Sequence, residues 1–267
     1  MDSSDKRLSR RAVLTASGGA VGLLGAGTGR ASAGLFGGHE RCPEATFRPN
    51  TVPYEKHGDC SDDHPATREL QERVSRNLRK RFPTVGSLID AGFIPYFDFA
   101  TANRGDGWSH WLNPTFVGDG TAADPKRPAS VLVDHRWWRP IGVMFVATRD
   151  GHRVDPPAAY RDEDGEKCSP WHAHTGLPGR YAWWKYRRLY VDWEGDETDT
   201  LPCRTPWVMH VWRFTDEGIY AHDAPPRGER GGPPAEPAGF ETDAVPGEDP
   251  LSLKVLPDAL AHKVKRL

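Results

Sequence analysis

The period of the hydrophobic positions changes along the chain. Between residues 63 and 82, apolar side chains recur every four positions and charged side chains fill the places between them. This spacing predicts an amphipathic helix, with Asp63 as its cap and Pro65 in its first turn. A shorter helix is predicted from Val85 to Ala91, ending at Gly92. The apolar stripe of the first helix comprises Ala66, Leu70, Val74, Leu78 and Phe82.

Beyond residue 92 the pattern favours strands and loops. No helical period separates the apolar runs, and short runs of this kind are typical of an antiparallel sheet. The predicted fold class is α+β, with an N-terminal amphipathic helix packed on a mainly antiparallel, curled or barrel-like β-sheet. A turn at Arg139-Pro140 is predicted to join two of the strands. The predicted strands are 131–133, 141–147, 189–193, 207–214 and 219–221.

Residues 1–33 have the layout of a twin-arginine export signal. Arg10 and Arg11 precede a weakly apolar stretch, 16–27, and then a small-x-small cleavage site at 31–33. The stretch is too short and glycine-rich to span a bilayer, so we expect no transmembrane segment in the mature protein. The twin-arginine export machinery is a predicted partner. The predicted location is extracellular, periplasmic or on the cell surface.

The chain length after processing fits a single domain with extensions. The segment 225–250 is rich in Pro and Gly and nearly free of apolar residues, which predicts a disordered linker. The predicted parts are an irregular N-terminal extension at 34–63, a single globular domain at 64–224, the linker at 225–250, and a C-terminal tail with a short helix at 251–267.

Charge excludes two classes of partner. Removal of residues 1–33 takes away two acidic and five basic residues, so the formal net charge falls from −2 to −5. Such a chain has no basic footprint for nucleic acid and no polybasic membrane patch. It also lacks a nucleophile elbow, a phosphate-binding glycine loop and a dinucleotide fingerprint.

Histidines in two strand-like segments are the main candidate for chemistry. In a strand, alternate side chains share a face, so His172 and His174 are expected on one face, and His210 on the same face as Trp212. If the two strands are neighbours, three imidazoles converge, which is a common way to hold a transition metal. An aromatic–imidazole network without metal is the alternative. Trp171, Trp207 and Trp212 are expected to form an aromatic wall that excludes water.

His110 is a candidate fourth ligand, whereas His222 and Asp223 are weaker candidates. Zinc is the default metal, and copper, iron and manganese also suit imidazole ligands. A blue-copper site is rejected, because Met209 directly precedes His210 and must face the other side of a strand. An acidic run at 192–199 resembles a solvated turn more than a pair of catalytic carboxylates.

The four cysteines predict disulfides, since an even number in an exported protein favours them. Proximity in sequence favours Cys42–Cys60 and Cys168–Cys203. A competing hypothesis is a structural zinc, because His39 and His57 each precede a cysteine with His-x-x-Cys spacing.

A set of short motifs resembles a group of exported prokaryotic proteins of unassigned function. In that group such segments recur in this order after an amphipathic helix, and the similarity covers about residues 65–224. It implies that His110 and His210 belong to one shared feature, and it implies no activity. The motifs are His110-Trp111-Leu112-Asn113-Pro114, Asp124-Pro125-Lys126-Arg127-Pro128, Trp171-His172-Ala173-His174 and Met209-His210-Val211-Trp212.

Two functions from different classes remain open at this point. The first is an exported protein with a histidine-built metal site that supports metal-assisted hydrolysis or redox chemistry. The second is a non-enzymatic module that binds a glycan or cell-wall ligand on Trp183 and Trp184. The sequence does not decide whether the chain is an enzyme.

Overall fold

An open, antiparallel seven-stranded sheet organises the chain, with its strands in the order β1-β10-β11-β5-β4-β3-β2. The computed structural model describes residues 42–100, 107–150, 152–190, 200–222, 224–226 and 237–265. Its strands are β1 Thr51–Pro53, β2 Ile94–Pro95, β3 Trp108–Leu112, β4 Ser130–Asp134, β5 Arg139–Val146, β6 Thr148–Arg149, β7 His152–Arg153, β8 Tyr160–Arg161, β9 Lys167–Cys168, β10 His172–His174 and β11 Val208–Trp212. Strand pairs β6-β7 and β8-β9 form small separate sheets.

Helices cover both faces of the large sheet. They are α1 Pro65–Arg81, α2 Val85–Asp90, α3 Leu177–Tyr190 and α4 Asp258–Val264, and a 3-10 helix spans Phe97–Ala100. Side chains of α1, α2 and α4 share one hydrophobic cluster with inward residues of the central strands. Side chains of α3 share a second cluster with residues on the opposite face. The strand period of two separates these clusters, since neighbouring residues of a strand point to opposite faces.

The antiparallel sheet is confirmed, whereas the barrel is wrong. Strands β1 and β2 are the two edges, and they do not pair with each other. The expected helix after Asp63 is α1, which is capped by the ring nitrogen of His64, the acceptor for Ala66 N–H at 3.2 Å, and not by Asp63. Helix α2 is capped by a reciprocal Thr84–Ser87 pair.

Helix α3 is the main difference from the sequence prediction. The sequence predicts a strand at 189–193, but Leu189 and Tyr190 close α3, and 191–199 lie outside the described residues. The segment is rich in aromatic residues, which have modest helix propensity and occur often in strands. Its buried positions, Ala182, Trp183 and Tyr186, nevertheless follow helical spacing.

Parts of the predicted extension, hairpin and linker pack on the domain. Strand β1 lies within 34–63 and pairs with β10. The segment 219–221 is not a strand, although the Ile219 carbonyl accepts a hydrogen bond from the Trp212 N–H at 2.9 Å. The Ala238 carbonyl, inside the predicted linker, accepts from Gly86 N–H at 2.8 Å, and Ala238 is buried. The short C-terminal helix is α4.

The predicted export signal, the acidic run at 192–199, His39 and Asp223 lie outside the described residues. Among the helices that are described, none has the length and apolar character needed to cross a bilayer.

All four cysteines form disulfides, but the pairing expected from sequence proximity is wrong. The bonds are Cys42–Cys203 and Cys60–Cys168. The sheet order brings the chain before β1 beside the chain before β11, because β10 pairs with both strands. The structural-zinc hypothesis is wrong for this structure, because a cysteine in a disulfide has no thiolate to offer.

We expect peptide mapping without reductant to recover these two linked pairs. Alkylation of free thiols at low pH before digestion prevents exchange during the measurement. A peptide that links Cys42 to Cys60, or Cys168 to Cys203, would contradict the observed topology.

Candidate functional site

Three strands place histidines on the sheet face that α3 covers. His110 lies on β3, His172 and His174 lie on β10, and His210 lies on β11. Strands β10 and β11 are neighbours, with His172 opposite Val208. Met209, one residue from His210, belongs to the hydrophobic cluster of the opposite face. The histidine cluster, as used below, comprises His110, His172, His174, His210 and His222.

The approach of β3 to β11 requires a curved sheet. Strands β4 and β5 separate them, so a flat sheet would hold their backbones about 14 Å apart. Gly142 of β5 lies between Leu132 and Trp212 in the register. It leaves room for the Trp212 ring, whose Cε3 atom would lie 3.1 Å from a Cβ at this position. A β-bulge also interrupts the pairing of β4 and β5 at Leu132/Val133, and bulges increase local bending.

His110 and His210 approach each other through their ring nitrogens. Their Nε2 atoms lie 3.2 Å apart. The other ring nitrogen of His110, Nδ1, lies 2.8 Å from Oδ2 of Asp98, and the backbone N–H of His110 also donates to that carboxylate. Asp98 sits in the 3-10 helix directly after edge strand β2. The carboxylate therefore fixes the direction in which the His110 ring points.

The remaining rings gather around His172. Its centroid lies 5.3 Å from the centroids of His174 and His210, and 4.2 Å from that of His222, against which it stacks. His222 is held in place because the Trp212 indole N–H donates to the carbonyl of Ala221 at 2.8 Å. The structure thus brings the four histidines predicted as ligands together with His222, the weaker candidate of the sequence prediction.

Burial sets the charge state of the two innermost rings. His172 and His210 are 0% and 1% exposed. Burial lowers the pKa of His172 well below the ordinary imidazole value, and His210, His174 and His222 lower it further. Burial also lowers the pKa of His210, with His110 as the next cause. Both rings are therefore neutral near pH 7.

Three buried ring nitrogens at this site have no hydrogen bond of good geometry among the described residues. They are both ring nitrogens of His172 and Nδ1 of His210. The Pro170 carbonyl favours a protonated His172, and that of His222 favours a protonated His210, but each effect is the smallest on its ring. Buried polar atoms without partners are costly and uncommon in folded proteins.

The predicted aromatic wall is only partly at the site. Trp212 lies beside His210, with centroids 5.6 Å apart. Trp171 and Trp207 instead pack with the hydrophobic cluster of the other face, because each directly precedes the residue that faces α3. Trp108, which the sequence prediction missed, contacts both His110 and Trp212. Trp108 lies two residues before His110 on the same strand, and this spacing would have predicted that the two side chains share a face.

The sequence prediction also missed Asp98, since no motif marks it.

The donor atoms of the histidine cluster do not converge on one point in this structure. Among the described residues, no group of three or more His, Cys, Asp or Glu side chains is arranged to hold a metal ion. Comparison with models of protein families, with curated proteins and with solved structures found no match.

The substitution Gly142→Ala should destabilise the protein, since the added Cβ would lie 2.8 Å from the carbonyl oxygen of Val211. Overpacking of this kind typically costs about 1–3 kcal/mol. Urea unfolding provides the measurement. Gly58→Ala is the matched control, because its Cβ would approach nothing closer than 3.9 Å. Equal stability of the two variants would contradict the role assigned to Gly142.

The metal-free protein should lose stability as the pH falls below about 6.5, the ordinary pKa of histidine. The unfolded chain then binds protons that the buried, neutral His172 and His210 of the folded chain do not bind. The free energy of unfolding should fall by up to about 1.4 kcal/mol per pH unit for each ring.

Urea unfolding with a chelator, at pH 5 to 8, measures this slope. His172→Gln should reduce it, whereas a change at the exposed His152, His152→Gln, should leave it unchanged. An unaltered slope in His172→Gln would show that the ring is not held neutral.

Proposed function

We propose that the histidine cluster binds a single transition metal ion, with His110, His172, His174 and His210 as its ligands and zinc as the default metal. The observation that supports this most directly is the 3.2 Å separation of the His110 and His210 Nε2 atoms. Two imidazole nitrogens at about 2.0–2.1 Å from one tetrahedral zinc are roughly 3.3–3.4 Å apart. The two rings therefore already have the spacing of a ligand pair.

The Asp98–His110 contact supports the same proposal. Histidines that bind metals almost always engage their other ring nitrogen with a carboxylate, carbonyl or water, which fixes the tautomer and orients the ring. Asp98 occupies that position on Nδ1 of His110. In the tautomer that donates Nδ1–H to Asp98, Nε2 carries the lone pair that a metal ligand requires, and it faces His210.

Burial of His172 supports its role as a ligand. A neutral imidazole has one ring nitrogen with a lone pair, and burial lowers the pKa of His172, so that lone pair stays free of a proton and can bind a metal ion. Ring nitrogens of His172 and His174 need to turn toward the His110–His210 pair for four ligands to converge. Imidazole donors suit zinc, copper, iron and manganese, so the ligand set alone does not choose among them.

A bound metal ion with an open position activates water or polarises a substrate oxygen. Around it, the chain's own residues have distinct tasks. Asp98 orients His110, while Trp108 and Trp212 pack around His110 and His210 and limit access of water. The proposed chemistry is metal-assisted hydrolysis or redox chemistry.

We also propose that the chain is exported by the twin-arginine route. Two disulfides support an oxidising compartment. That route translocates folded proteins, so a metal site built from three strands would be complete before export.

Glycan or cell-wall binding has less support. A stacking platform needs adjacent exposed aromatic side chains, but Trp183 is only 4% exposed and packs with Tyr186. Trp184 is half-buried and lies under Arg188. Glycan binding that persists in a chelator and is lost in Trp184→Ala would nevertheless favour this second function.

We expect the purified protein to hold one equivalent of zinc after loading and dialysis. His110→Ala and His210→Ala should abolish stoichiometric binding, since each removes half of the preformed pair. Asp98→Asn should weaken binding by about 10- to 100-fold, as is typical when a group that orients a ligand is lost. Elemental analysis and competition with a chromophoric chelator give the two quantities.

The control is His152→Ala, which removes an exposed imidazole in β7 that does not belong to the histidine cluster. It should bind zinc as the wild type does, and preserved disulfides in every variant exclude gross misfolding. If the wild type takes up no stoichiometric metal after reconstitution, the His110–His210 contact is a hydrogen bond between neutral rings and the proposal fails.

A further inference from the structure

A pocket opens beside the histidine cluster, between the curved sheet and α3. Its volume is about 310 Å³. His110, His174 and Asp98 contribute to its lining, and the rest comes from β3, β5, β11, α3 and the residues Tyr96, Phe97, Thr205 and Pro206. The apolar part of the wall is formed by Leu112, Met144, Val146, Ala182, Trp183 and Val208.

The volume limits the size of the occupant. A cavity of about 150 Å³ in a protein core accommodates benzene. This pocket is about twice as large, so it matches a molecule with one ring and substituents, or with two fused rings. Its mostly apolar lining is typical of small-molecule sites, in which a few polar groups set the orientation.

The polar lining limits the head group. Among the described residues no Lys or Arg lines the pocket, so in the metal-free protein an anionic ligand would find no counter-charge from them. The Asp98 carboxylate would repel it. Thr205 is already engaged, since its Oγ1 accepts from the His174 N–H and donates to the Pro206 carbonyl. The Asp98 carboxylate offers only acceptor atoms. The head group that fits it is an uncharged hydroxyl, which can donate.

We infer that this pocket binds an uncharged, mainly hydrocarbon alcohol or phenol of one or two rings, with its hydroxyl directed toward the Asp98 carboxylate beside the histidine cluster. The inference names the ligand class of the proposed metal site, and it rests on the proposed function for the contact between hydroxyl and metal. Burial of the hydrocarbon part depends only on the pocket. The two claims can therefore fail separately.

The methionines offer a direct readout. The chain has three, Met1, Met144 and Met209. Met144 lines the pocket, whereas Met209 is packed in the hydrophobic cluster on the opposite face of the sheet. In protein labelled with ¹³C at the methionine methyl groups, 2-naphthol should shift the Met144 resonance in a saturable manner. The Met209 resonance should stay in place.

Three probes of nearly equal shape test the head group: 2-naphthol, 2-methoxynaphthalene and 2-naphthoate. In the chelator-treated protein, we expect 2-naphthol to bind at least tenfold more tightly than either of the others, because the ether cannot donate a hydrogen bond and the carboxylate is charged. Equal or tighter binding of 2-naphthoate to this metal-free form would overturn the assignment of an uncharged ligand. Equal binding of the ether would overturn the hydroxyl contact.

The substitution Ala182→Leu should fill part of the pocket and weaken 2-naphthol binding at least tenfold. Ala66→Leu adds the same atoms to α1, on the other side of the sheet, and should leave the affinity unchanged. An unshifted Met209 resonance shows that Ala182→Leu remains folded. If that resonance moves, the Met144 shift in the wild-type protein still decides whether the pocket is occupied.

Each titration is run on chelator-treated protein and on zinc-loaded protein. Binding of 2-naphthol to both forms, tighter in the loaded one, supports both claims. If zinc binds but 2-naphthol shifts Met144 in neither form, the pocket inference is wrong and the metal site stands. If 2-naphthol shifts Met144 while zinc does not bind, the metal proposal is wrong and the hydrocarbon site stands.

Discussion

The meeting of His110 with His210 depends on the curvature of the sheet between β3 and β11. Imidazole side chains of strands three positions apart in a flat sheet remain separated. A glycine on the concave side, the nearby bulge and the Trp212 ring over that glycine together allow the edge to bend inward. The curvature of the sheet, more than any local sequence motif, therefore brings the histidines of the candidate site together.

The two faces of the sheet have different roles: one holds the main hydrophobic core, and the other holds the histidine cluster and the pocket. One face packs α1, α2 and α4 in a continuous apolar core that includes Val131, Val143 and Val211. This core supplies most of the hydrophobic free energy of folding. The opposite face can therefore tolerate buried imidazoles and a pocket, which cost stability locally. Helix α3 closes this second face with aromatic side chains, and its Trp183 serves as pocket wall.

The hydrophobic period predicts α1, α2, the central strands and α4, because each presents an unbroken apolar stripe or run. Three features could not be obtained in this way. Helix α3 has an aromatic composition that favours strands as much as helices. Disulfide pairing depends on the spatial order of strands, which sequence proximity does not give. Asp98 lies in a 3-10 helix without a motif, so only its contact with His110 identifies it. The alternation of side chains along a strand predicts which histidines share a face. Only the structure shows which strands are neighbours.

The two disulfides are nested: the bond from 60 to 168 lies wholly inside the interval closed by the bond from 42 to 203. A single cut of the backbone anywhere between residues 42 and 203 therefore leaves one covalent molecule, whichever loop an external protease attacks. Residues beyond 203, among them His210 and His222, have no such tether. A nick just after Cys203 would leave β11 and everything that follows it attached by non-covalent contacts alone, so His210 and His222 are the two members of the histidine cluster least protected against proteolytic loss.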